Sequence, residues 1–234
     1  MRWLLRRISQ RFFASDGGGS GWKVVVPGIG AVSLRPGGGR ADAWLDELDG
    51  EHRRLFQVCQ PRDGLPLVSV LNFLDTYNQV FGVPDAALDA VVVLFRRAIG
   101  FALDDATWAG FDLGRHCGVA DGRLPATRNL WRASLDTRGG SVPGAAIEAL
   151  QRRGTRFVAC QVSLATLAGR LASARGENAR SVFATLRDGL LDGVVLVPSA
   201  RSAIEAAGRR GIEARDLGAD PSSGAHPTLP RRIA

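Results

Sequence analysis

The chain has 234 residues, 45% of them hydrophobic, and a formal net charge of +7. This is enough apolar material for a sizeable core, and no apolar run reaches the roughly 18 residues that a membrane span requires. Residues 1–40 hold seven Lys/Arg against Asp16 alone, 221–234 hold Arg231 and Arg232 without an acid, and the stretch between them is close to neutral. A neutral body lacks the basic footprint of a nucleic-acid binder, so no nucleic-acid partner is expected.

The chain falls into a basic, Gly-rich leader (1–40), one domain (41–220) and a polar, Pro-containing tail (221–234). In the leader, Leu4, Leu5, Ile8 and Phe12 share a helical face, and Arg2, Arg6, Arg7 and Arg11 fill the rest. Residues 1–13 are thus either a weak membrane-surface contact, a targeting segment or a loose leader. The Arg6-Arg7 pair fits the start of a twin-arginine export signal, but Gly17–Gly21 stands where the apolar region should follow. The expected location is cytoplasmic, or periplasmic if the leader is a degenerate export signal. Residues 24–34 suit a strand pair broken by Pro27, Gly28 and Gly30.

From residue 41 the periodicity changes. Residues 41–56 suggest an amphipathic helix, 65–71 a buried strand, and 73–81 a helix stopped by Gly82. Val91-Val92-Val93-Leu94 reads as a strand buried on both faces. A short helix at 104–111 begins with Asp104 and Asp105, whose carboxylates suit a cap. Turn formers dominate 114–142. Then come a helix at 144–153, a strand at 156–160, helices at 164–174 and 179–190, a strand at 194–197, a helix at 199–210 and a last strand at 212–217. Short strands alternating with longer helices predict an α/β fold, a parallel sheet with helices on both faces. The sheet should contain 68–71, 91–94, 157–159 and 194–197. Ligands then belong at the carboxyl ends, just after Leu71, Phe95, Cys160 and Val197.

The motifs for hydride transfer, phosphate-loop nucleotide hydrolysis and serine hydrolysis are missing, as is H-E-x-x-H, so no cofactor is expected. Three cysteines, Cys59, Cys117 and Cys160, are too few for a disulfide scaffold, and their spacing with the three histidines suits no zinc site. Cys160 is the positive feature, because it closes a strand just before a helix. Backbone N–H groups and the helix dipole there favour a nucleophilic thiolate, although a strand-end cysteine also serves as a small buried hydrophobe. Thr127-Arg128-Asn129 offers donors for an anion, or else caps neighbouring elements. Asn72, placed at the first strand–helix junction, can cap the helix or face a ligand.

The runs Leu71-Asn72-Phe73-Leu74-Asp75-Thr76-Tyr77-Asn78, Pro125-Ala126-Thr127-Arg128-Asn129, Phe157-Val158-Ala159-Cys160 and Gly193-Val194-Val195-Leu196-Val197-Pro198 resemble a group of bacterial DsrE-like proteins of unassigned activity. The likeness spans about residues 50–217 in colinear order. It implies a DsrE-like fold, a flavodoxin-like three-layer sandwich. Better-known members of the superfamily pass sulfur between proteins as a cysteine persulfide and assemble as small oligomers. Cys160 falls at the group's Ala-Cys-Asn position, with Gln161 in place of Asn. Phe95-Arg96 stands where the group has His-Gly. The resemblance implies a sulfur carrier acting through Cys160, with Asn72, Thr127, Arg128, Asn129 and Gln161 as candidate binding residues and a protein donor or acceptor as partner. The alternative is a small-anion-binding or assembly module without transfer chemistry. A homo-oligomer is expected, with an interface that includes part of 114–142; Trp131 is either its apolar anchor inside a charged rim or folds back to seal its own domain.

Overall fold

The computed structural model describes residues 22–26, 30–34, 41–134, 136–137 and 140–218. The basic stretch 1–13 and the tail 221–234 lie outside the described residues. Trp22–Val26 and Gly30–Leu34 pair as an antiparallel hairpin, where the strand pair was expected.

Five parallel strands form the central sheet: β1 (His52–Val58), β2 (Leu88–Leu94), β3 (Arg156–Cys160), β4 (Val195–Val197) and β5 (Glu213–Asp216). Their order is β4-β3-β2-β1-β5. Among the described residues, seven helices cover the sheet: α1 (Leu65–Phe81), α2 (Asp105–Gly110), α3 (Leu113–Cys117), α4 (Ile147–Arg152), α5 (Gln161–Arg175), α6 (Ala179–Asp188) and α7 (Ala200–Arg209). The protein is an α/β, flavodoxin-like three-layer sandwich.

Crossover handedness decides which helix covers which face. The chain passes from β1 through β2 and β3 to β4 in one direction across the sheet, and right-handed crossovers then put α1 to α6 on a single face. The last crossover runs the opposite way, from β4 to β5 on the far edge, so α7 falls on the other face. The buried side chains divide accordingly. Leu67 and Val70 of α1, Trp108 of α2, Leu164 of α5 and Val182 of α6 pack with Phe56, Val92 and Phe157. Ala203 and Ala207 of α7, joined by Trp44 and Leu45, pack with Leu55, Val91, Val93 and Val158.

One expected strand is a helix. Residues 65–71 make the first turns of α1: Pro66 sits where its missing N–H costs nothing, and the buried Leu67, Val70 and Leu74 recur at helical spacing. The strand β1 instead occupies part of the stretch expected to be an amphipathic helix. The helical part there reduces to a 3-10 turn, Ala43–Glu47, while Leu55 and Phe56 turn to opposite faces of the sheet. The other three expected strands are present and parallel.

The register brings the carbonyl ends level. Val58 pairs with Leu94, Leu94 with Ala159, and Val197 with Cys160. The chain therefore leaves the sheet at Cys59, Phe95, Cys160 and Pro198.

The segment 114–142 folds onto its own domain. Trp131, expected as an interface anchor, is 4% exposed, with its ring 4.5 Å from Phe101 and 6.0 Å from Trp108. Burying an indole against two aromatic rings makes it a core residue, so the anchor role is withdrawn.

Candidate functional site

The topology says where to look. β3 hands the chain to α5 on one face, and its neighbour β4 hands it to α7 on the other. Where adjacent connections diverge, a crevice opens beyond the carboxyl ends of the strands. A cleft of about 860 Å³ lies there, lined by Cys160 at the end of β3, Ser163 and Arg170 on α5, Ser199 and Arg201 on the α7 side, and Arg96 and Arg97 beyond β2.

Cys160 takes its place by strand parity. Phe157 and Ala159 point to the α5 face, so Val158 and Cys160 point to the α7 face, while the backbone turns directly into α5. Cys160 is 4% exposed and packs in an apolar cluster. Its Sγ accepts a hydrogen bond from the Ser163 N–H at 3.4 Å, in the first turn of α5. The Ser163 hydroxyl in turn accepts from the Arg96 N–H at 2.9 Å, tying the loop after β2 to the start of α5. Arg96 holds φ at 52°, in the left-handed region that glycine adopts freely. Here an arginine accepts the strain. α7 enters the crevice through Ser199, whose hydroxyl caps the Ser202 N–H at 3.0 Å.

The other candidates disperse. Asn72 is exposed in the interior of α1, not at a strand end, because the expected first strand is that helix. Thr127 and Arg128 are exposed and outside the cleft lining, and Arg128 reaches Asp121 at 3.9 Å. Asn129 is buried as a staple. Its amide donates to the carbonyls of Phe101 (3.0 Å) and Leu103 (2.8 Å), and its Oδ1 accepts from the Trp131 N–H (3.2 Å). Gln161 follows Cys160 as the first residue of α5 and is 8% exposed, but it does not line the cleft.

The remaining cysteines also lie near the carboxyl edge. Cys117 ends α3 and shares the cleft wall, and burial pushes its thiol up to about 11. Cys59 directly follows β1. Burial first, and then the Asp216 carboxylate, push its thiol up as well.

Sequence reasoning missed the basic wall. On α5, Ser163, Thr166, Leu167 and Arg170 recur at helical spacing and all line the cleft. On α7, Arg201, Ile204 and Glu205 do the same. Both stripes were legible as faces. Their convergence was not, because it depends on α5 and α7 lying on opposite sides of the sheet.

Among the described residues, no group of His, Cys, Asp and Glu is placed to hold a metal ion, and no helix is long and apolar enough to cross a membrane. Neither a family model nor a curated protein matches the chain. Among solved structures, it is similar to MTH1491 from Methanobacterium thermoautotrophicum, a protein of unknown function. The identity is 17% and the TM-score 0.37, over 71% of this chain and 99% of that one.

Proposed function

We propose that this is a DsrE-like sulfur carrier in which Cys160 holds a terminal sulfur as a persulfide at the switch point of the sheet. The observation that carries the reading is the placement of the Cys160 thiol. It forms part of the wall of an open cleft, and the first turn of α5 presents the Ser163 N–H to its sulfur. Such a position gives a bound persulfide anion a backbone donor and an approach for its donor. In the transfer step the Cys160 thiolate attacks the terminal sulfur of a donor persulfide. A new S–S bond forms at Cys160, the donor's S–S bond breaks, and its electron pair leaves with the donor thiolate. No external oxidant is consumed.

Intact-mass measurement after incubation with a small-molecule persulfide tests the proposal. Wild type should gain the mass of one sulfur atom, and Cys160→Ser should gain none. A gain that survives Cys160→Ser sinks the reading.

A second reading, a binding module without transfer chemistry, is favoured by the 4% exposure of Cys160 within its apolar cluster. It predicts no mass gain in either protein. Self-association, suggested by the family resemblance, belongs to the proposal too, and light scattering of the full chain at tens of micromolar tests it.

A further inference from the structure

We infer that the switch-point cleft binds a small organic anion with at least two negative groups, carboxylate or phosphate, and that the sulfur donor for Cys160 belongs to this class. The second half rests on the carrier reading above; the first does not.

Size is the first argument. A cleft of about 860 Å³ is far larger than an inorganic anion needs and suits a small organic molecule. Charge is the second. Four guanidinium groups line it, Arg96 and Arg97 after β2, Arg170 on α5 and Arg201 on α7, against one carboxylate, Glu205. Glu205 is engaged by Arg201 at 3.0 Å. Among the described residues, Arg96, Arg97 and Arg170 have no carboxylate within the 4.0 Å of an ion pair. Arginines on a concave wall focus positive potential, and each guanidinium fork matches a carboxylate or phosphate. Because these three arginines come from two separate elements, the turn after β2 and α5, they suit separated negative groups better than a single one.

The apolar lining is the third argument. Phe95, Ile99, Val162, Leu167 and Ile204 line the same cleft and offer contact to a carbon frame.

Calorimetric titration of full-length Cys160→Ser tests the binding without covalent chemistry. The probes are glutathione for carboxylates, coenzyme A for phosphates, and pantetheine as a thiol without a negative group. At least one of the two anions should bind about tenfold or more tightly than pantetheine. Arg170→Ala should weaken that anion by about tenfold or more, whereas Arg187→Ala, which removes an arginine outside the cleft, should leave it unchanged. The inference is overturned if neither anion outbinds pantetheine, or if the two arginine variants act alike. The persulfide of the tighter-binding thiol is then given to wild type. Sulfur on Cys160 supports the donor assignment, and binding without transfer overturns it while leaving the anion site in place.

Discussion

Two residues carry the sharpest expectations. Cys160 should react with iodoacetamide before Cys59 and Cys117 at pH 8, as read by peptide mapping. All three are buried, and both Cys160 and Cys117 line the cleft, but the Cys160 sulfur sits at the first turn of α5, whereas burial raises the thiols of Cys59 and Cys117. Labelling of Cys117 should grow only as the pH approaches about 11. First labelling on either of the other cysteines would remove the reason for choosing Cys160. Arg96→Gly separates stability from binding. Left-handed backbone costs a non-glycine residue about 1–2 kcal/mol, and the greater freedom of an unfolded glycine offsets roughly half of this. Chemical denaturation should therefore show unchanged stability or a gain of up to about 1 kcal/mol, while the anion site weakens. A clear loss of stability would mean that the Arg96 side chain supports the fold. Cys160 was legible from sequence because a strand-end cysteine before a helix is a local pattern. Arg96, Arg97 and Arg170 were not, because their meeting place is set by the order of distant strands.

At the level of elements, most of the alternation was legible, and the exception has a physical cause. Residues 65–71 are apolar and valine-containing, which suits a strand, yet Pro66 in the first turn and the spacing of Leu67, Val70 and Leu74 belong to a helix. In β1, Arg53 and Arg54 masked a strand whose second half alone is apolar. Arg54 has a partner on the neighbouring strand, Glu213 at 2.7 Å. The amino edge of the sheet, opposite the cleft, is tied by Arg153 beyond α4. Its guanidinium bonds Asp75 of α1 at 2.7 Å and both oxygens of Asp85, just before β2, at 2.9 and 3.0 Å. Arg153→Ala should cost about 1–2 kcal/mol in urea unfolding, since it leaves two half-buried carboxylates without their cation, at a cost that solvent reduces. The hydrogen bonds from Arg153, first among the causes, hold the Asp85 carboxyl below the usual carboxylate range. A lowered folded value means that this contribution is complete above the ordinary aspartate range and is lost as pH falls through the lowered folded value. The acid limb of the wild-type stability profile should therefore be steeper than that of Arg153→Ala. Parallel limbs would show that the pair is not what acid disrupts.

For the whole molecule, the long connection between β2 and β3 is an integral part of the core. The Trp131 carbonyl accepts from the Ile147 N–H at 2.9 Å, and the Arg132 carbonyl accepts from the Glu148 N–H at 3.0 Å, so the segment docks on the start of α4. Trp131→Ala should destabilise the domain by about 3–5 kcal/mol without changing its oligomeric state at temperatures where it is still folded. Weakened assembly with an unchanged melting temperature would return the indole to an interface. The strand order also has a consequence for the chain as it is made. A ribosome delivers β1 to β4 with α1 to α6 before any of α7 or β5 exists. Until then β1 is an unpaired edge, and among the described residues the turn around Trp44 is what covers the sheet face that carries Cys160. The wall bearing Ser199, Arg201 and Ile204 arrives last, so the nascent protein presents its thiol most openly before it can hold a ligand. Oxidative damage during synthesis should fall on this cysteine, and completion of α7 and β5 is the event that shields it.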